Sequence, residues 1–132
     1  MKSDNQIFSL STGYGPFISE GTTALLYCFP VTSGHIDKLF EFGISEIDFA
    51  ILKSNNYKFK ALYYILFHEI QSTFGTGHPS PRKYTNKEFE YVKNRVLHIS
   101  NSELELYIKE FSRDKNLSED YFQLFSKNLF LE

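Results

Sequence analysis

One stretch near the middle of the chain decides the fold: Tyr57-Lys-Phe-Lys-Ala-Leu-Tyr-Tyr-Ile-Leu-Phe-His-Glu-Ile-Gln-Ser-Thr-Phe74. Apolar and aromatic residues recur in it at steps of three and four, which places them on one face of an α-helix. That set comprises Phe59, Leu62, Tyr63, Leu66, Phe67, Ile70 and Phe74. A second apolar strip runs beside it and comprises Ala61, Tyr64 and Ile65. The pattern therefore predicts a central helix that is buried on more than one side.

The segment that follows the N-terminal third also carries a helical pattern. Ser33, as a cap, followed by Ile36, Leu39 and Phe40 predicts a short helix that ends at Gly43. This assignment depends on a spacing of three and four residues over little more than two turns.

Four later helix starts are predicted from capping residues. In three of them a serine or threonine is followed three residues later by an acidic side chain, as in a capping box. These pairs are Ser45 with Asp48, Thr85 with Glu88, and Ser102 with Glu105, and Ser118 is predicted to cap the last helix. In the first of these helices, Ile47, Ile51 and Leu52 are the apolar residues that follow the cap.

Residues 1–32 allow two interpretations. Alternation around Ile7, together with the β-branched and aromatic residues of 22–29, favours extended structure or a β-hairpin. The good helix formers that precede Tyr27 favour a short helix over 23–29 instead. Periodicity over so short a run does not decide between the two.

The predicted fold class is mainly α, an irregular bundle of about five or six helices around a buried central helix over residues 57–74. A small N-terminal β-hairpin is an optional addition, and α+β is the alternative. The chain has 132 residues, which is the size of one domain. Residues 1–132 are therefore predicted to form a single domain, with an N-terminal segment over 1–32 and a helical body over 33–132.

Composition points to an ordinary globular chain in a reducing compartment. Hydrophobic residues make up 42% and charged residues 23%, which excludes a disordered chain. The single cysteine, Cys28, lies in an apolar run and is predicted to be a buried small hydrophobe. The chain starts without the apolar run of a signal peptide, and no segment reaches the roughly twenty apolar residues of a membrane span. These features together predict a cytoplasmic protein.

Charge is unevenly distributed along the chain, although the net charge is only −2. Residues 1–52 carry 2 basic and 6 acidic side chains, residues 53–95 carry 8 and 3, and residues 96–132 carry 4 and 7. The basic middle segment raises the alternative of a nucleic-acid-associated regulatory protein, since phosphate binding needs such clustering. Glu103, Glu105 and Glu110 on the following helix argue against it, because they would repel phosphates.

No catalytic, cofactor-binding or metal-binding residue is predicted. His68 and Glu69 begin a zinc-protease motif, but Ser72 stands where the second histidine is required. His68 is therefore predicted to be a partly buried side chain of the central helix. The chain also lacks the Gly-x-Ser-x-Gly sequence that marks a hydrolase nucleophile.

The most suggestive polar feature is an acidic run. Four acidic residues lie within a dozen positions, against the single Lys38; they are Asp37, Glu41, Glu46 and Asp48. On the predicted helix the first two share a face and repel each other by a few tenths of a kcal/mol, which a docked basic partner would relieve. Tyr14 and Phe17 flank a Gly-Pro turn, where an exposed aromatic side chain could anchor an interface. These six residues are the candidates for partner binding.

A small, slightly acidic domain of this build, rich in Tyr and Phe and mainly helical, resembles the immunity proteins of bacterial toxin–immunity pairs. Those paired with contact-dependent growth-inhibition toxins are the nearest comparison. The resemblance covers the general build of the chain, above all the segment 45–70 and the acidic run before it. It implies a non-enzymatic inhibitor that forms a tight one-to-one complex with a cognate toxin, such as a basic nuclease, and covers its active site or substrate groove.

Overall fold

The computed structural model of this protein describes residues 6–9, 15–33, 36–74, 84–118 and 120–129. Within them the chain forms four strands and then five helices. The strands are β1 (Gln6–Phe8), β2 (Phe17–Glu20), β3 (Leu25–Ser33) and β4 (Ile36–Ile44). The helices are α1 (Glu46–Ser54), α2 (Asn56–Phe74), α3 (Asn86–Leu97), α4 (Asn101–Asp114) and α5 (Tyr121–Leu129).

The strands form one antiparallel sheet in the order β1-β2-β3-β4, so each strand pairs with its neighbour in sequence. The hairpin of β3 and β4 is the longest pairing and extends from Leu25 opposite Ile44 to Ser33 opposite Ile36. Strand β2 pairs with only the first part of β3, from Glu20 opposite Leu25 to Phe17 opposite Cys28. Strand β4 is consequently a nine-residue edge strand that leads directly into α1.

The predicted mainly α bundle is wrong, and the protein is α+β. The principal error is the segment after Ser33, which was predicted as a helix and forms β4. Phe40, Phe42 and Ile44 follow the two-residue period of a strand and point into the core, where Phe42 stacks on Phe89 with ring centroids 4.5 Å apart. The spacing of Ile36, Leu39 and Phe40 by three and four residues therefore resembles that of a helix only by coincidence.

The short helix considered for residues 23–29 is also wrong, because this segment belongs mostly to β3. Tyr27, Phe29 and Val31 alternate toward the helices and are fully buried. The strand continues through Pro30, which lies two residues beyond the last pair with β2. Its carbonyl oxygen accepts a hydrogen bond of 2.6 Å from the hydroxyl of Tyr63 on α2.

The prediction for the central helix is confirmed for the side chains that the structure describes. Phe59, Leu62, Tyr63, Leu66 and Ile70 are buried, Phe67 is half-buried, and the side chain of Phe74 lies outside the described part. Ala61, Tyr64 and Ile65 of the second strip are buried as well. Helix α2 packs against β3 and against each of the other four helices, which explains why it is apolar nearly all round.

Two of the three predicted capping boxes form as expected and one is shifted. The boxes of Ser45 with Asp48 and Thr85 with Glu88 begin α1 and α3. Helix α4 begins two residues earlier than predicted, because its capping box is made by Ser100 and Glu103. Both serines are followed by glutamate three positions later, so the local pattern alone did not distinguish them.

A buried lysine joins α2 to the end of α3. The ammonium group of Lys58 donates hydrogen bonds of 2.8 Å to the carbonyl oxygen of Leu97 and 2.5 Å to that of Ile99. These carbonyls lie at the C-terminal end of α3, where a positive charge is favourable. Burial lowers the pKa of Lys58. Its charge is therefore accommodated by a helix terminus instead of an acidic side chain.

Candidate protein-binding groove

A groove lies where β4 runs into α1, between the β2–β3 turn and α3. It encloses about 500 Å³ and is lined by Ala24 of the turn, Gly43 and Ile44 of β4, Ile47 of α1, and Asn94 and His98 at the end of α3. Its floor contains charged side chains and its rim contains an exposed apolar one. This groove is the place where the acidic run of the sequence meets α3.

The floor of the groove is a buried ion pair. A carboxylate oxygen of Asp48 lies 2.6 Å from the ammonium nitrogen of Lys93, and the two residues are only 2% and 5% exposed. The other carboxylate oxygen lies 3.1 Å from Nε2 of His98. The backbone N–H of Ser45 also donates to Asp48, and Glu90 lies 3.0 Å from Lys93 on the outer side. The network fixes the β4–α1 junction against α3.

Asp48 is held in its ionised form by these contacts. Burial on its own would raise the pKa of the carboxyl group. The hydrogen bonds from Lys93, from the backbone of Ser45 and from His98 outweigh burial and hold the pKa of Asp48 below its ordinary value of 3.8. The groove floor is therefore a fixed arrangement of charges at neutral pH.

The rim of the groove combines an apolar side chain with an exposed acid. Ile47 is 68% exposed, the largest exposed fraction among the exposed large apolar side chains in the described ranges. Glu46 precedes it in the first turn of α1 and is exposed. Glu41 is also exposed, but it alternates with the core-facing Phe40 and Phe42 and therefore points to the opposite face of β4, away from α3. A Cβ atom at Gly43 would meet only one atom within 4 Å, so the strand surface is open there.

The predicted partner-binding residues are distributed unequally over this groove. Glu46 lies exposed beside it, and Glu41 is exposed on the face of β4 that points away from it. Asp48 is buried in its floor with its carboxylate engaged. Phe17 is 9% exposed and lies in β2, so it packs inside the fold instead of projecting from a turn. Tyr14 lies outside the described residues.

Asp37 and Glu41 do not form the like-charge pair that was expected on one face of a helix. Asp37 and Glu41 lie on β4, where residues four apart are about 13 Å from each other. Asp37 lies opposite Thr32 in the sheet register, and its side chain is outside what the structure describes. The repulsion that a docked partner was expected to relieve is therefore small.

Three basic side chains of the middle segment make separate contacts within the described part of the chain. Lys58 and Lys93 are buried and make internal contacts. Arg95 lies over the ring of Tyr107, with 4.2 Å from its guanidinium carbon to the ring centroid. Arg82 and Lys83 lie outside the described residues. Lys58, Lys93 and Arg95 therefore serve separate contacts and do not belong to one phosphate-binding cluster.

Two predictions about single polar residues are confirmed. His68 is partly buried in an aromatic cluster, and its Nδ1 lies 2.9 Å from the carbonyl oxygen of Tyr64. Cys28 is fully buried in β3, with its sulfur 3.5 Å from the hydroxyl of Ser19 on the neighbouring strand. Both side chains are part of the packed interior.

Sequence reasoning missed three residues of the groove. Ile47 was noted only as an apolar residue that follows the Ser45 cap, but it is 68% exposed and lies at the rim of the groove. Lys93 and His98 lie more than forty residues from Asp48 in the chain. No local pattern pairs such distant residues, but the isolated lysine between the buried Val92 and Val96 of α3 was a signal of an internal partner.

Comparison of this chain with models of protein families, with curated proteins and with solved structures finds no significant match. No helix in the described ranges has both the length and the apolar character needed to cross a membrane. Nor does the described part of the chain bring together three His, Cys, Asp or Glu side chains in a group that could hold a metal ion. The proposals below accordingly depend on the geometry of this chain.

Proposed function

We propose that this protein is a non-enzymatic protein-binding inhibitor that acts in the bacterial cytoplasm as an immunity protein. In this proposal it forms a tight complex with a cognate toxin of the contact-dependent growth-inhibition type and blocks it. The binding surface is the groove at the β4–α1 junction.

The observation that carries the proposal is the exposed Ile47 on a rigid, charged support. Its side chain stands at the rim, while Asp48 and Lys93 lock the start of α1 against α3 below it. An exposed apolar side chain on a preorganised support binds at little entropic cost, since few torsions remain to be ordered. Such a residue can serve as the anchor of an interface, surrounded by polar contacts.

The charge of the rim favours a basic partner. Glu46 is exposed beside Ile47, and Glu20 lies two strands away from Ile44 in the same register row. Complementary charge increases the rate of encounter and selects the correct partner. A toxin that acts on nucleic acid needs a basic surface to hold phosphates, so it supplies the complement that this rim requires.

The edge strand gives the partner a second means of attachment. β4 runs along the outside of the sheet and ends at the groove. The edge of a sheet offers backbone groups on which an extended segment of another protein can pair. A partner that covers the groove therefore also reaches β4, which extends the contact beyond the rim.

The direct test begins with gene context: we expect the gene of a large secreted protein with a toxic C-terminal region to lie immediately before that of this chain. Producing this region in bacteria should stop growth, and co-production of the present protein should restore it. Calorimetric titration of the two purified proteins should give a one-to-one complex with nanomolar affinity, as is usual for tight inhibitor pairs. Absence of both growth rescue and binding would overturn the proposal.

Matched variants locate the surface. Glu46→Lys and Ile47→Ser should each weaken the complex about tenfold or more, and the effect of Glu46→Lys should diminish at high salt. Glu103→Lys on the distant α4 has the same change of charge and should leave the affinity within about twofold. Micromolar, strongly salt-dependent binding of short duplex DNA or RNA, without toxin binding, would instead support the nucleic-acid-associated alternative.

A further inference from the structure

A second, larger cavity lies on another part of the molecule, between α2, α4 and α5. Its volume is about 810 Å³, which is in the range of sites that hold small organic ligands. Tyr57 of α2, Ile108 of α4 and Phe122 of α5 contribute apolar surface to it. The rings of Tyr57 and Phe122 meet edge to face, with centroids 5.8 Å apart.

The cavity has an excess of positive charge. Three lysines line it, one from each surrounding helix: Lys60, Lys109 and Lys127. The one acidic lining residue is Glu105, which lies 3.9 Å from Lys109 on the same helix. Lys60 and Lys127 make no ion pair with any residue of the described part of the chain. The lining therefore carries a formal charge of +2, and two ammonium groups remain available to a ligand.

The first turn of α4 adds to this potential. Asn101 and Ser102 are its first two residues, and both line the cavity. The N-terminus of a fourteen-residue helix carries a partial positive charge that attracts anions.

A buried hydroxyl group supplies the independent indication of a ligand. Ser126 of α5 lines the cavity, is only 8% exposed, and its hydroxyl oxygen has no hydrogen-bond partner among the described residues. Leaving a buried polar group without a partner is unfavourable. The oxygen is shielded from solvent in this structure, and rotation about the Cα–Cβ bond is needed to turn it toward the cavity. A bound acceptor in the cavity would remove this deficit.

We propose that the cavity between α2, α4 and α5 binds a small organic phosphate that carries a flat aromatic group, the chemistry of a mononucleotide. Lys60 and Lys127 pair with the phosphate, the hydroxyl of Ser126 donates to one of its oxygens, and the ring packs against Tyr57 and Phe122. A phosphate monoester carries about two negative charges at neutral pH, which matches the charge of the lining. The cavity is also too large for a phosphate ion alone. This site is separate from the groove and does not depend on toxin binding.

The test is a calorimetric and NMR titration of the full chain with adenosine monophosphate at about 50 mM salt, because screening weakens phosphate contacts at higher salt. We expect a submillimolar dissociation constant, and amide shifts concentrated in α4 and α5. Inorganic phosphate lacks the ring and adenosine lacks the charge, so each should bind at least about tenfold more weakly. Phenyl phosphate should bind better than inorganic phosphate, since it retains both parts.

Variants of the lining separate a built site from general attraction to lysines. Lys60→Gln and Lys127→Gln should each weaken binding of adenosine monophosphate about fivefold or more, and Ser126→Ala about threefold or more. Lys87→Gln removes an exposed lysine of α3 that does not line the cavity, and should change nothing. The proposal is overturned by equal binding of adenosine and adenosine monophosphate, by no binding at about 10 mM, or by an equal loss of affinity in Lys87→Gln.

Discussion

The groove and the cavity differ in how their buried polar groups are satisfied. In the groove, the carboxylate of Asp48 receives hydrogen bonds from Lys93 and from the backbone of Ser45, and it lies beside His98. In the cavity, the hydroxyl of Ser126 has no partner within the described chain. Both groups are nine-tenths buried or more, yet only the first completes its contacts inside the protein.

This difference indicates what each region can contribute. A satisfied buried network fixes the fold around it and leaves the exposed side chains above it free to bind. An unsatisfied buried group stabilises nothing by itself, and it gains its partner only from outside. Substitution of Asp48 or Lys93 in the groove floor should therefore reduce stability, whereas substitution of Ser126 at the cavity should not. The predictions below test this contrast in order of expected effect.

Removing the cation of the groove floor should have the largest effect. Lys93→Met leaves the buried Asp48 carboxylate without its nearest positive charge, and we expect the free energy of unfolding to fall by about 3–5 kcal/mol. Urea denaturation followed by circular dichroism measures this. Lys87→Met, at an exposed position of the same helix, should stay within about 0.5 kcal/mol. If Lys93→Met lowers the free energy of unfolding as little as Lys87→Met does, the ion pair does not hold the β4–α1 junction against α3.

Lys58→Met should have the next largest effect, since it removes a buried charged group of α2. The ammonium group is lost from the end of α3, where it donates to the carbonyl oxygens of Leu97 and Ile99. We expect a loss of about 2–3 kcal/mol, because hydrogen bonds from charged groups contribute more than neutral ones. Hydrogen exchange should increase most in the last turn of α3. Uniform loss of protection throughout the chain, with α3 no more affected than α5, would contradict this assignment.

The pH dependence of stability should reveal Asp48. Its folded pKa lies below the unfolded value, so its stabilisation is present above about pH 3.8 and is lost as the pH falls through the folded pKa. Asp48→Asn should be clearly less stable than the natural protein near neutral pH. The difference in urea midpoint between the two proteins should narrow as the pH falls from neutral into the acidic range in which Asp48 becomes protonated. A gap that stays constant over this range would mean that ionisation of Asp48 contributes nothing.

Removal of the Ser126 hydroxyl group at the cavity should raise the stability of the protein. Ser126→Ala deletes a buried group without a partner, and we expect a gain of about 1 kcal/mol in the free energy of unfolding. Ser112→Ala is the matched control, because Ser112 is equally buried but its hydroxyl lies 2.6 Å from that of Tyr64. That variant should lose about 1 kcal/mol. Destabilisation by Ser126→Ala of the same size as by Ser112→Ala would show that Ser126 has a structural partner.

The smallest effect on stability is expected at the groove rim. Ile47→Ser changes a side chain that is 68% exposed, so the free energy of unfolding should change by no more than about 0.5 kcal/mol. Urea denaturation of this variant beside Leu52→Ser, which replaces a fully buried side chain of the same helix, makes the comparison direct. A large loss in Ile47→Ser would place the side chain in the core and remove it as an anchor.

The parts of the fold that the sequence predicted are those decided within a few residues. Helix α2 was predicted because its apolar period continues over five turns, and the boxes at Ser45 and Thr85 are complete local signals. Strand β4 was not predicted, because its two-residue period becomes clear only when β4 pairs with β3. In that pairing Phe40 lies opposite Phe29 and Phe42 lies opposite Tyr27. Pairing between separate segments overrides the local preference of a short run.

The candidate site was predictable only in part for the same reason. Glu46 was identified from the acidic run and lies at the groove next to Ile47, whereas Glu41, from the same run, points to the opposite face of β4. The burial of Asp48 depends on Lys93, which comes from a helix forty-five residues away. The acidic run therefore indicated a charged region correctly, but it did not separate the acid that supports the fold from those that remain exposed.

The most direct test of the account compares one variant from each region against the same partner. Calorimetric titration of the toxin region with Glu46→Lys should give an affinity reduced about tenfold or more, whereas Lys127→Gln should bind as the natural protein does within about twofold. That result is expected if the groove binds the toxin and the cavity serves a different ligand. Equal affinities for Glu46→Lys and the natural protein, or a loss confined to Lys127→Gln, would contradict it.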